Sequence, residues 1–71
     1  MMMIKTQLNR LKRQTQWSWE RMCREMHRVM AEEGPSHTTL FRYANGRVKH
    51  HNKIVERWIR VATDRLMREE S

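Results

Sequence analysis

Apolar residues recur along the chain at intervals of three and four, the spacing of helices that bury one face. Ile4, Leu8 and Leu11 predict a first helix over about residues 4–13. Trp19, Met22, Cys23, Met26, Val29 and Met30 form the strongest stripe and predict a second, opened by Ser18 and ended by Glu33-Gly34-Pro35. Ser18 suits an N-cap, and Glu20 favours the positive end of the helix dipole. Gly suits the position after a helix, and Pro cannot continue one. Ser36 then caps a short third helix with Leu40, Tyr43 and Ala44 on one face, and Gly46 supplies a left-handed exit. Asn52 caps a fourth, reaching about Arg68, whose buried stripe is Val55, Trp58, Ile59, Ala62 and Leu66. The tail over residues 67–71 is expected to fray. No strand is predicted, because Val and Ile are few.

Four helices with short connections predict an all-α fold, a small helix-turn-helix bundle with an extended second helix, occupying residues 1–71 as a single domain. The turn predicted between helices two and three is Gly34-Pro35-Ser36, three residues with a glycine, as in a helix-turn-helix. No apolar run approaches the roughly 20 residues of a membrane helix. No membrane association and no export are expected, which places the chain in the cytoplasm.

Charge narrows the partners. Lys and Arg number 15 against 8 Asp and Glu, a formal net charge of +7, and 11 of the 15 are Arg. Residues 34–55 contain no acid, but carry Arg42, Arg47, Lys49 and Lys53 with His37, His50 and His51. Such a balance points to a polyanion, and arginine suits bidentate contact with phosphate and guanine. Chemistry of other kinds has little support. Cys23 is the only cysteine, and Cys23–His27 has no third orienting group, so neither catalysis nor a metal site is expected. No enzyme activity, cofactor or small-molecule substrate is expected. Trp19 and Trp58 lie on buried stripes and look like core, not stacking platforms for bases.

The segment Ser36-His37-Thr38-Thr39-Leu40-Phe41-Arg42-Tyr43-Ala44-Asn45-Gly46-Arg47 resembles the Cro and phage-repressor (XRE-like) helix-turn-helix family. That family commonly shows Ser, a variable residue, Ser or Thr, Thr, an aliphatic, a variable residue, Arg, an aromatic, two polar residues, Gly, then Lys or Arg. Ser36, Thr39, Leu40, Arg42, Tyr43, Gly46 and Arg47 match it. One departure stands beside the match. Between Ser18 and Ser36 the chain is about seven residues longer than the family's spacing, which implies a second helix longer by about two turns.

The resemblance implies that helix three enters the major groove by its N-terminal end. The base-reading residues carried over are His37, Thr38 and Arg42. Arg42 can grip guanine O6 and N7, the Thr38 methyl can touch a thymine methyl, and His37 can donate to guanine or contact phosphate. Phe41 is expected to face outward, toward a thymine methyl or a partner. Phosphate contacts are expected from Trp19, Thr39, Arg47, Lys49, His50 and Asn52. The function implied is sequence-specific binding of double-stranded DNA by a transcriptional regulator, a repressor of phage or mobile-element type. It would act as a homodimer, nucleoid-associated when bound. Two rivals remain open: a protein-interaction module on the same scaffold, and a non-specific basic nucleic-acid-binding protein.

Overall fold

A computed structural model describes residues 3–70, and these form four helices and no strand. They are α1 (Ile4–Thr15), α2 (Trp19–Met30), α3 (His37–Ala44) and α4 (Lys53–Glu70). The fold is an all-α bundle in which α1 and α2 each pack against both α3 and α4. Most positions of the predicted stripes become its core, while Trp19, Cys23, Val29, Met30 and Val55 are only half-buried against it. Leu8, Leu11, Met22, Met26, Leu40, Ile59 and Leu66 are fully buried, and Ile4, Tyr43, Ala44, Trp58 and Ala62 complete the cluster. Each large apolar side chain so buried contributes about 1.5–3 kcal/mol of transfer free energy. Thr63, buried among them, donates its hydroxyl to the Ile59 carbonyl at 2.8 Å and so leaves no orphan.

Local chemistry sets the helix starts. The Ser18 hydroxyl accepts the Arg21 amide at 3.2 Å, and that of Ser36 accepts the Thr39 amide at 3.3 Å. Asn52 Oδ1 accepts the amides of Ile54 and Val55 at 2.9 and 3.2 Å. These bonds satisfy amides that a helix start otherwise leaves unpaired.

Besides α1, which runs on past residue 13 to Thr15, two helix ends differ from expectation. α4 stays helical through Glu70 instead of fraying from residue 67, while Ser71 lies outside the described residues. Leu66 is buried, and Arg28 reaches across from α2 to Glu69 at 2.7 Å, which ties down the last turn. That bond holds the Glu69 carboxyl below the usual carboxylate range.

The second correction concerns α2. It stops at Met30, where Ala31 takes a left-handed conformation with φ of 55°, and does not run on to Glu33. Ala31, Glu32 and Glu33 are all exposed, so a further turn would bury no apolar side chain. The connection to α3 therefore spans six residues, 31–36, and not the three predicted. The extra length between Ser18 and Ser36 is divided between a helix of 12 residues and this longer connection.

Side chains of α2 and α4 fix that connection. The Pro35 carbonyl lies 3.4 Å from Cys23 Sγ and 3.1 Å from His27 Nε2. Burial pushes the Cys23 thiol up, so it stays protonated and donates to this carbonyl. His27 also stands edge-on to Trp58, centroids 5.3 Å apart. Gly34 lies directly against the six-membered ring of the Trp58 indole, where no Cβ fits. The entry point of α3 is thus set by contacts with α2 and α4.

Candidate nucleic-acid interface

α3 buries Leu40, Tyr43 and Ala44, which turns its other faces to solvent. His37, Thr38 and Arg42 are exposed there, clear of the other helices. Phe41 is 44% exposed, a large apolar side chain left outside the core as expected. Thr39 is half-buried, its hydroxyl 3.2 Å from that of Ser36.

Beside α3 runs an open groove of about 860 Å³, bounded on the far side by residues 47–52 and the start of α4. It is lined by the cations Arg42, Arg47 and Lys49, by His50, and by apolar Phe41, Val48 and Val55. Thr38, Thr39 and Asn52 also border it, so one concave surface gathers eight of the ten residues singled out in the sequence. His37 and Trp19 are not among its walls. Asn52 already uses its Oδ1 as the α4 cap, so only its amide nitrogen remains to donate outward.

The loop between α3 and α4 is held at both ends. At the near end the Arg47 amide donates to the Arg42 carbonyl at 2.9 Å, beyond a turn at Gly46 with φ of +67°. At the far end the Asn52 amide donates to Tyr43 Oη at 3.4 Å. Tyr43 in turn donates to Glu56 Oε2 at 3.3 Å, and His51 Nδ1 lies 3.0 Å from the same oxygen. Burial first, then the nearby Glu56 charge, push the Tyr43 hydroxyl up and keep it protonated as a donor. The adjacent histidines therefore part company. His50 faces the groove, while His51 turns behind the loop to Glu56.

A second cationic flank lies across α3 from the loop, where residue order alone gives no sign of it. Trp19, at the start of α2, meets Phe41 edge-on with centroids 6.2 Å apart. Lys12 Nζ lies 5.7 Å from the Trp19 ring, and the Arg21 guanidinium 5.0 Å from that of Trp17. The Trp19 ring thus holds Lys12 beside Phe41 of α3, while Arg21 is held by Trp17 at the start of α2. Trp19 is half-buried and packed against the core, so it serves more as a support for Lys12 and Phe41 than as an exposed phosphate ligand. Lys12 was legible only as a charge on helix one. Its place depends on the end of α1 lying beside the start of α2.

Among the described residues no group of three or more His, Cys, Asp and Glu side chains is placed to hold a metal ion. Nor is any described helix long and apolar enough to cross a membrane. No family model, curated protein or solved structure matches the chain.

Proposed function

We propose that the protein is a sequence-specific double-stranded DNA-binding regulator that presents α3 to the major groove. The observation that carries this reading is the exposed face of α3, with His37, Thr38 and Arg42, lying between two cationic flanks. A major groove has bases at its floor and a phosphate strand on each side. Arg42 and Thr38 would read base edges. Arg47, Lys49 and His50 would hold one strand, and Lys12 the other. α2 and α3 would then act as the helix-turn-helix, with the longer connection as a variant of its turn. The protein would work in the cytoplasm on nucleoid DNA, as a homodimer on a pseudo-palindrome with half-sites about 10 bp apart, repressing by occlusion of a promoter.

Selection from a random duplex library at fixed salt tests this reading. The expected result is an enriched motif with two-fold symmetry. Binding without enrichment would favour the non-specific basic protein. No duplex binding even at low salt would favour a protein partner, for which the exposed apolar Phe41 lining the groove is the supporting observation.

The two flanks give a second prediction. With about five phosphates neutralised per subunit, log K should fall against log salt with a slope near −4 to −5. Lys49→Ala is expected to weaken every duplex alike and to reduce that slope by about 1. Lys12→Ala should do the same, and phosphate-neutralised duplexes should place the two lysines on opposite strands. If Lys12→Ala leaves the slope unchanged, the second flank is not a phosphate contact.

A further inference from the structure

We infer that Glu56 is a positioning residue for the phosphate-binding loop, so that DNA affinity depends on a carboxylate placed beside a polyanion site. The inference rests on the DNA-binding reading above and adds to it the device that holds the loop in place.

Coulomb's law alone predicts the opposite sign, since a carboxylate near a phosphate strand opposes binding. The geometry shows why positioning outweighs repulsion. Glu56 is half-buried and does not wall the groove. It lines a smaller cavity of about 250 Å³ on the other side of the loop, with His51 and Tyr43. The other groups facing that cavity that can carry charge are Lys5 from α1, His51 from the loop and Arg60 from α4, so this carboxylate sits beside two cations and an imidazole. One oxygen, Oε2, takes both Tyr43 Oη at 3.3 Å and His51 Nδ1 at 3.0 Å. Tyr43 is 7% exposed and fixed in the core, which makes it a rigid post. Through that post the Asn52 amide is held as well. Lys49 and His50 lie between this tether and the one at Arg47. Without the tether, ordering the loop on DNA would cost conformational entropy that the free protein has already given up.

The test uses Glu56→Gln, Tyr43→Phe, His51→Gln and the double variant of Glu56 and His51. Each is measured for affinity to the selected duplex across a salt series. Backbone amide exchange over residues 47–52 is measured in the free protein. Glu56→Gln should weaken binding about threefold to tenfold, the difference between a charge-assisted and a neutral hydrogen bond. It should also flatten the salt slope by about 1, as Lys49→Ala does. The loop amides should exchange faster while the unfolding midpoint of the helices holds. The double variant should lose less than the product of the two single losses, because both act on one bond. Tyr43→Phe removes a single hydroxyl and should weaken binding in the same direction, and it carries the test if Glu56→Gln fails to fold.

Tighter binding by Glu56→Gln, or weaker binding with the salt slope and loop exchange unchanged, would overturn the inference. If the wild-type protein binds no duplex at all, the DNA reading fails, and amide exchange decides the positioning role by itself. Faster exchange in Glu56→Gln would then support it, and unchanged exchange would overturn it.

Discussion

Replacing Gly34 by alanine is expected to lower the unfolding free energy by about 2 kcal/mol, the cost of overpacking a fixed site. The added methyl has nowhere to go, because the Trp58 ring already occupies its place. The ring cannot swing aside cheaply. Trp58 is buried, at 9% exposure, and His27 stands edge-on to it. The backbone cannot move cheaply either, since the next carbonyl, that of Pro35, is held by Cys23 and His27. For a domain of 71 residues the loss corresponds to a melting point lower by about 10 °C. Gly46 is the informative control. Alanine there meets only the Lys5 side chain, at an ordinary contact distance of 3.7 Å, but must adopt φ of +67°, a backbone cost of about 1 kcal/mol. Asparagine tolerates that region, so Gly46→Asn should recover part of the loss, whereas Gly34→Asn should be worse than Gly34→Ala. Thermal denaturation of the four variants checks the pattern. An unchanged midpoint for Gly34→Ala would mean that the connection does not press on Trp58.

The two glycines also mark where the sequence could and could not be read. Gly46 was legible, because its reason is local: it follows a short helix and supplies a left-handed exit. Gly34 was legible as a breaker and misread in detail, because its reason is a ring on a helix far along the chain. The same division runs through the rest of the molecule. The caps at Ser18, Ser36 and Asn52 were legible because a side chain bonds amides two or three residues on. The stripes were legible because helical periodicity is a property of the sequence itself. The end of α2 was not, since Val29 and Met30 keep the apolar spacing up to the point where the helix stops.

The candidate site divides in the same way. Residues on α3 and the basic loop could be gathered from their types and order. That His50 and His51 face opposite sides could not, because the choice is made by Glu56 and Tyr43. Lys12 was invisible as a site residue, since only packing brings it beside Trp19. The contacts that the sequence hid are the ones that hold segments in position: Trp58 under Gly34, Glu56 behind the loop, Arg28 across to Glu69.

Substituting Arg42 by alanine is expected to erase preference at one base position in each half-site, with a loss of about 1–3 kcal/mol of discrimination. The side chain is exposed, on the same helix face as Thr38, and stands at the edge of the groove opposite the loop. Its own carbonyl is bonded to the Arg47 amide, so removing the guanidinium leaves the backbone of the turn intact. Stability should therefore hardly change, which separates this loss from that of Gly34→Ala. Arg42→Lys is a sharper probe than alanine. It keeps the charge but loses the planar fork that matches guanine O6 and N7. If Arg42 reads a base, lysine should restore general affinity and salt slope while leaving discrimination at that position impaired. If Arg42 only neutralises phosphate, lysine should restore everything, and alanine should weaken all sequences alike, as Lys49→Ala does. Library selection with the wild type and the two variants resolves these outcomes. If the protein binds as the proposed homodimer, α3 is presented twice and the loss should fall on two symmetry-related positions of the motif. A loss at one position alone would mean that a single copy of the chain engages the duplex.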